Sequence, residues 1–349
     1  LRKYDAIQEL LEDADVTEIM INGASHIFYE KKGKLFQAQT HFSSEQKLSD
    51  VIQQMAGNSN RMVNEASPIV DTRLADGSRV NIVLSPISID GAAVSIRKFP
   101  QTPILMEDLI RIESITEEAA AFLKVLVMAG YNIFISGGTG SGKTTFLNAL
   151  SQYIPREERI ITIEDSAELR LVDKPNLVRL ETRNQMFEGV KPITIRDLIR
   201  TALRMRPERI VVGECRGEEA LDMLQAMNTG HDGSLSTGHA NSCRDMMSRL
   251  ETMVLMGMEL PLTAIRSQIA SGLDILVHLG RMRDKSRKVL TITEVTGMQE
   301  GEIVLKDLYR YVEKPSDGEA VCGELQRVGT LFNQEKCKRA GITLPGTGE

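Results

Sequence analysis

The chain has 349 residues, of which 42% are hydrophobic and 26% are charged. Such a length and balance predict a soluble, globular protein of two domains and exclude a disordered or fibrous chain. The formal net charge of −6, without a long run of lysine and arginine, argues against a nucleic-acid partner.

No segment predicts a membrane span or an exported protein. The most apolar stretch, 119–129, is interrupted by Lys124 and is far shorter than the roughly 20 residues that cross a bilayer. Acidic residues interrupt 1–20, where a signal peptide needs an apolar centre. The four cysteines include no Cys-x-x-Cys pair, so neither a zinc ribbon nor a disulfide framework is indicated. We therefore expect a cytoplasmic protein with reduced thiols.

Residues 1–100 predict a smaller, N-terminal α+β domain. Helical spacing occurs at 4–11 and 45–55. A predicted hairpin covers 27–37, and strand-like runs separated by turn residues follow between 69 and 99.

Pro100 and Pro103 introduce a linker that we place at residues 101–115. Paired prolines resist continuing either a helix or a strand, and polar residues follow them. The two domains are therefore expected to change their relative angle.

Residues 116–314 predict an α/β domain. Helical segments alternate with short β-branched runs, which favours a mostly parallel sheet flanked by helices. A predicted hairpin at 289–312 closes the domain, and we assign no structure to the polar tail, 315–349. The predicted strands before the hairpin are 132–136, 159–164, 177–180, 209–213 and 235–237.

Residues 137–144 fit the phosphate-loop pattern. Their glycines let the backbone curl so that its amides face the phosphates of a nucleotide. A predicted strand leads into the loop and a predicted helix leads out, so the phosphates would lie at a helix N-terminus. We expect Lys143 on the β and γ phosphates of ATP and the Thr144 hydroxyl on Mg²⁺. The predicted nucleotide-binding residues are Gly137, Gly138, Thr139, Gly140, Ser141, Gly142, Lys143, Thr144 and Thr145.

Two further predicted strands end in acidic residues. One runs into Glu214, and the other ends at Glu164, with Glu168 shortly after it. A carboxylate in such a place can bind a metal through water or accept a proton from an attacking water. For either strand alone a solvated end is the better interpretation, but two such strands after a phosphate loop favour convergence on Mg²⁺ and water.

His231 and His239 flank another short predicted strand. A histidine there can donate to a phosphate or sense its loss, although a lone histidine is more often a local hydrogen-bonding residue. Arginines are dense between 179 and 209, and Arg73, Arg79 and Arg97 lie in the first domain. Most are expected to be solvated or structural, and one or two to act as arginine fingers on the γ phosphate.

In this order, and after such an N-terminal domain, these elements resemble the type II/type IV secretion ATPase superfamily, whose motifs are named Walker A, Asp box, Walker B and His box. The resemblance covers nearly the whole chain. Within it, residues 15–23, 95–99 and 229–241 look most like the CpaF-type ATPases of tight-adherence pilus assembly.

The resemblance implies a RecA-like C-terminal P-loop ATPase domain, a mobile N-terminal domain and a homo-hexameric ring with nucleotide between the two domains. It implies hydrolysis of Mg-ATP that powers pilus assembly or protein secretion through inner-membrane platform proteins, at the inner face of the membrane. Glu164 and Glu168 become the Asp-box acids, with Glu168 polarising water. Glu214 becomes the Walker B acid, which holds Mg²⁺ through water.

By the same resemblance, His231 and His239 form the His box, and Arg97 meets phosphate when the domains close. Two departures matter. Ser166 stands where many relatives have proline, and the four-cysteine zinc site of some pilus-extension ATPases is absent, so no metal other than Mg²⁺ is expected.

Other interpretations stay open from the sequence. A type IV secretion ATPase would share every motif, because partner surfaces carry no recognisable pattern here. A nucleotide-dependent scaffold with little turnover is disfavoured, since Glu164, Glu168 and Glu214 are all present. A RecA-like nucleic-acid motor is disfavoured by the net charge.

Overall fold

The computed structural model describes residues 3–57, 62–99, 102–183, 191–315 and 320–344. The chain forms two compact units, Leu1–Thr102 and Pro103–Glu349. Pro100, on which part of the linker prediction rests, lies outside the described residues. From Pro103 onward the segment predicted as a linker belongs to the second unit and includes a helix, Met106–Arg111. The tail segment also belongs to the second unit and includes a helix, Glu335–Ala340.

The first unit is built on an antiparallel sheet. Within the described residues its strands are β1 (Val16–Asn22), β2 (His26–Lys31), β3 (Lys34–Gln37), β4 (Ile69–Arg73), β5 (Arg79–Val83) and β6 (Ala93–Arg97), and its α-helices are α1 (Gln8–Glu12) and α2 (Glu45–Gly57). The strands pair in the order β3-β2-β1-β6-β5-β4. The predicted hairpin is present as β2 and β3, with Lys32 and Gly33 at positive φ in its turn.

Helix α2 covers this sheet because its apolar residues recur with helical spacing. Leu48, Val51, Ile52 and Met55 are all buried and belong to one cluster with side chains of the strands. Positions three and four apart lie on the same face of a helix. The first unit thus has its own core.

The second unit contains the remaining elements. Its described helices are α3 (Met106–Arg111), α4 (Glu117–Met128), α5 (Lys143–Ser151), α6 (Ile195–Ala202), α7 (Glu219–Asn228), α8 (Cys243–Gly257), α9 (Leu262–Gly272) and α10 (Glu335–Ala340). Its described strands are β7 (Ile133–Gly137), β8 (Ile160–Glu164), β9 (Leu177–Glu181), β10 (Arg209–Val212), β11 (Leu235–His239), β12 (Ile275–Arg281), β13 (Arg287–Gln299), β14 (Glu302–Lys314) and β15 (Cys322–Arg327).

These strands form one mixed sheet in the order β15-β14-β13-β12-β7-β11-β10-β8-β9. The strands from β12 to β9 are parallel. The last three in the chain add antiparallel. The predicted strands and closing hairpin are present, whereas β12 was not predicted, although it pairs directly with β7.

Both faces of the parallel part are covered, which is why its strands read as continuous apolar runs. Along β7, Ile133 and Ile135 pack into one core with α4 and α5, while Phe134 packs into another with α6 to α9. Successive side chains of a strand point to opposite faces. The tail segment, to which the sequence assigns no structure, also contributes to the first of these cores, through Leu331 and Cys337. Among the described residues, no helix combines the length and apolarity that a membrane span requires.

Candidate active site

The loop at 137–142 connects β7 directly to α5. Gly140 and Gly142 have φ of 73° and 92°, a region that residues with a Cβ rarely adopt. At Gly137 a Cβ would lie 2.7 Å from the carbonyl oxygen of Leu279, so only glycine permits this close approach to β12. The local strand-loop-helix arrangement is as predicted, and Gly138, Thr139 and Gly140 are exposed.

Lys143 begins α5 and folds back over the loop. Its Nζ donates to the carbonyl oxygen of Gly138 at 3.0 Å and lies 3.4 Å from Nδ1 of His239. Burial lowers the pKa of Lys143, and the charge of Glu214 acts in the opposite direction. The ammonium is therefore held at the mouth of the loop, where an anion can replace a carbonyl as its partner.

Glu214 follows β10 and lies at the same end of the sheet. Its Oε1 is 2.8 Å from Nε2 of His239, and its Oε2 accepts from Nε and NH2 of Arg216 at 2.8 and 2.6 Å. Arg216 also reaches Asp165 at 3.4 Å. The carboxyl ends of parallel strands meet at one edge of a sheet, which brings Lys143, His239 and Glu214 together.

His239 joins the phosphate-loop lysine to this acid. It is the last residue of β11, opposite Gly137 of β7 in the parallel register. Burial is the main cause that lowers its pKa, and Lys143 acts in the same direction. A neutral ring can accept from the lysine at Nδ1, whereas Oε1 of Glu214, although close to Nε2, has no hydrogen-bond partner within the described part of the chain.

Glu164 ends β8 and is 3% exposed. Its Oε1 accepts from the backbone N–H groups of Glu168 and Leu169 at 2.8 and 3.0 Å. Its Oε2 is buried without a hydrogen-bond partner within the described part of the chain, and burial raises the pKa of the carboxyl. One oxygen thus shapes the turn that carries Glu168, and the other stays available for a ligand.

The structure does not bring His231 to the loop. His231 precedes β11, whereas His239 ends it, so the two are separated by a whole strand at roughly 3.3 Å per residue. Instead, the N–H of His231 donates to the carbonyl of Ala226, and its own carbonyl accepts from Ser234. The geometry of one chain therefore does not support the prediction that His231 acts at the phosphate loop.

Arg97 lies in the first unit, at the end of β6. It pairs in register with Arg79 of β5, which pairs in turn with Arg73 of β4. The Arg97 side chain is 67% exposed, with its Nε 3.7 Å from Glu18. Three adjacent strands therefore each carry an arginine at one end of this sheet.

Two arginines near the phosphate loop were not singled out from the sequence. Arg287 of β13 donates from Nε to the carbonyl of Gly140 at 2.9 Å. Arg281 of β12, which pairs with Arg287 in register, has NH1 3.7 Å from the position of a Cβ on Gly140. Only the pairing of β12 with β7 brings them there, and no local motif marks them.

The oxygen donors at this site suit a hard divalent cation. The free Oε2 of Glu164, the carboxylate of Glu214 and the hydroxyl of Thr144 are of the type that such an ion prefers. No cluster of three or more His, Cys, Asp or Glu side chains that could hold a metal occurs among the described residues. An ion here would need phosphate or water oxygens to complete its coordination.

Comparison with known proteins extends this picture. The family described as Type II/IV secretion system protein matches residues 2–330. A candidate conjugal transfer protein of Mycobacterium tuberculosis is 33% identical over 327 residues, 92% of each chain. The type IV secretion system protein VirB11 of Brucella suis is 33% identical over 303 residues, 79% of this chain and 84% of VirB11.

Among solved structures, the pilus retraction motor PilT with bound ADP has a TM-score of 0.60 at 20% identity, over 95% of this chain and 84% of PilT. That likeness concerns the fold. It confirms the predicted fold class, in which a RecA-like α/β domain follows a smaller α+β domain.

Proposed function

The chain belongs to the type II/IV secretion system protein family and is an ATPase of that family, and from this premise we propose that it is a hexameric motor for pilus assembly or protein secretion. The observation that carries the proposal is the contact series Lys143, His239, Glu214 at the carboxyl ends of three neighbouring strands. It links a phosphate-binding lysine to an acid able to orient water.

In this proposal the loop amides and Lys143 bind the β and γ phosphates of ATP. Thr144 and Glu214 hold Mg²⁺, the glutamate through water. The ion, when bound, neutralises the charge that develops on the phosphates. Glu168 polarises the attacking water, while Glu164 holds the turn that positions Glu168.

We extend the proposal to the first unit. Arg97 contacts phosphate when the two domains close on the nucleotide, and its registered neighbours Arg79 and Arg73 add positive charge at the same end of the sheet. A guanidinium on the γ phosphate contributes roughly 10³ to 10⁵ in rate in other phosphoryl-transfer enzymes. Closing and reopening of the domains would convert each turnover into movement.

The proposed setting is cytoplasmic, peripheral to the inner face of the membrane, with platform proteins as partners and no nucleic acid. Residues 15–23, 95–99 and 229–241 favour the tight-adherence pilus branch. The identity with VirB11 favours a second candidate, a type IV secretion ATPase. Adding membranes that contain each platform separates the two, because only the cognate platform should stimulate turnover.

Two substitutions test the motor. Lys143→Ala should weaken nucleotide binding at least about tenfold because it removes a charged phosphate partner. Glu214→Gln should leave affinity nearly unchanged and lower kcat about 10² to 10³-fold, because the water through which Glu214 would hold Mg²⁺ loses its carboxylate partner. Exposed Glu259→Gln serves as the control. Steady-state hydrolysis, nucleotide titration and oligomer size are measured on the same samples.

Equal loss of binding in both variants would contradict the assigned roles. A wild-type protein that binds ATP as a hexamer, yet does not turn it over with membrane partners, would instead support a nucleotide-dependent scaffold.

A further inference from the structure

We propose that Arg287 is a positioning residue that holds the phosphate loop in its binding shape and couples that shape to residues 113–114. The inference rests on the proposed function in that the loop binds nucleotide. It concerns contacts inside the second unit alone, and neither Arg287 nor Ser114 belongs to the motifs that carry the resemblance to the family.

The first contact lies between the Arg287 side chain and the loop. Its Nε donates to the carbonyl of Gly140 at 2.9 Å, and its Cδ is 3.2 Å from where a Cβ of residue 142 would be. The side chain therefore lies along residues 140–142, which include the two glycines of the loop with positive φ. The bond is exposed to solvent, and its charged donor strengthens it relative to a neutral one.

The second contact lies on the backbone of the same residue. The hydroxyl of Ser114 donates to the carbonyl of Arg287 at 2.6 Å, and the N–H of Val289 donates to the carbonyl of Ser114 at 2.8 Å. Ser114 is 8% exposed, so water competes little for these bonds. Arg287 thus contacts the loop through its side chain and Ser114 through its backbone carbonyl.

Lys288 fixes the residue before Ser114. Its side chain, 7% exposed, donates from Nζ to the carbonyl of Glu113 at 2.8 Å. Glu113 has a φ of 58° because it follows the C-terminus of α3, where its N–H donates to the carbonyl of Ile110 and that of Ser114 to the carbonyl of Leu109. Lys288 and Ser114 thus attach this helix end to β13.

The turn before Arg287 is rigid. Asp284 accepts from the N–H and the hydroxyl of Ser286 and from the N–H of Val321, and these bonds lower the pKa of the Asp284 carboxyl to about 2. These bonds resist deformation of the turn, which favours transmission of a loop displacement at Gly140 to residues 113–114.

The position of residues 113–114 in the second unit indicates what the coupling would affect. They lie between α3 and α4, shortly after the second unit begins at Pro103, on the stretch by which the chain enters the ATPase domain from the first unit. Phosphates bound to the loop amides favour one loop conformation. Through Arg287 that preference biases residues 113–114, between α3 and α4 of the second unit.

The test uses the full chain with Arg287→Ala, Arg287→Lys and Ser114→Ala. Arg283→Ala is the matched control, because Arg283 lies in the same turn but pairs with Glu313. Affinity is measured with a fluorescent ATP analogue, hydrolysis at steady state, and amide hydrogen exchange at residues 109–115 with and without a non-hydrolysable ATP analogue.

We expect nucleotide to slow exchange at residues 109–115 in the wild type and in Arg283→Ala. Arg287→Ala should lower affinity about five- to tenfold and abolish the nucleotide-dependent change in exchange. Arg287→Lys, which keeps the charge without the guanidinium, should be intermediate. Ser114→Ala should keep affinity within about twofold yet lose most of the change in exchange, which separates coupling from loop support.

A wild type that binds nucleotide without any change at residues 109–115 overturns the inference, as does an Arg287→Ala variant with unaltered affinity and an intact change. Both leave the proposed function standing. A wild type that fails to bind nucleotide at all overturns the proposed function and this inference with it.

Discussion

The imidazole of His239 lies 2.8 Å from the carboxylate of Glu214, and its other nitrogen lies 3.4 Å from the ammonium of Lys143. With a proton on Nε2 only, Nδ1 is free to accept from the lysine. A second proton on Nδ1 would face the lysine charge, which together with burial explains the lowered pKa of His239. The neutral ring is therefore the form that fits between Lys143 and Glu214.

The first prediction concerns pH. Because the pKa of His239 is lowered from 6.5, the ring is neutral above pH 6.5 and protonates only below it. We expect kcat of the wild type to fall in the acid range. His239→Asn should have kcat about tenfold lower at pH 8 and a flatter acid limb, measured as kcat between pH 5 and 8.

His26→Asn, at an exposed position, should retain the wild-type profile. Any acid limb left in His239→Asn is expected from Glu164, whose pKa is raised. Identical acid limbs in the wild type and His239→Asn would show that His239 does not control the profile.

The second prediction concerns the buried Glu164. Its pKa is raised in the folded protein, mainly by burial, so the folded state holds this proton more tightly than the unfolded state. Wild-type stability should therefore fall as pH rises through that pKa. Glu164→Gln removes this titration and should melt at a higher temperature than the wild type at pH 8, with a smaller difference near pH 4.

The same substitution should lower kcat about 10²-fold, because the amide cannot supply an anionic oxygen. Melting curves and hydrolysis rates are compared with exposed Glu107→Gln. A Glu164→Gln protein that is less stable at pH 8 than at pH 4, relative to the wild type, would refute the burial argument.

The third prediction concerns the C-terminal helix. Lys336 of α10 is 12% exposed and donates to Asp274 and Asp232 at 2.7 and 2.8 Å. Lys336→Ala leaves the buried Asp274 without its cation and should reduce the free energy of unfolding by about 2 kcal/mol. Lys338→Ala, in an exposed pair with Glu335, should change it by less than about 0.5 kcal/mol.

The pH dependence of this loss follows from Asp274. Burial already raises the pKa of its carboxyl, and Lys336 opposes that rise. Without Lys336 the folded-state pKa rises further, so stability is lost as pH increases through it. Urea unfolding should show a larger loss at pH 8 than at pH 5, and equal losses would mean that Asp274 is not the group left uncompensated.

Local patterns predicted well wherever the physics is local. The loop at 137–144 was identified because a left-handed backbone at Gly140 and Gly142 depends only on those residues and their neighbours. The buried strands β8 and β10 were recognised because burial on both faces demands an unbroken apolar run. Glu164 and Glu214 lie where these apolar runs stop, because a charged side chain is disfavoured within a strand that is buried on both faces.

Sequence patterns did not predict features that depend on which strands become neighbours in the sheet. His231 and His239 looked equivalent in the sequence, but the parallel pairing of β11 with β7 brings only His239 to the loop. Strand β12 was missed, and with it the position of Arg281. The sequence assigns no structure to the segment after residue 314, although Cys337 is buried and Lys336 pairs with Asp274.

The sequence alone thus determined the nucleotide chemistry of this protein, because glycine conformation, strand-end acids and apolar periodicity act over a few residues. Tertiary structure decided which charged side chains serve that chemistry. Arg287 and Gly140 are 147 positions apart, and no local preference of either residue encodes their contact. It exists because the sheet buries β12 between β7 and β13, and burial of apolar surface acts on the assembled chain as a whole.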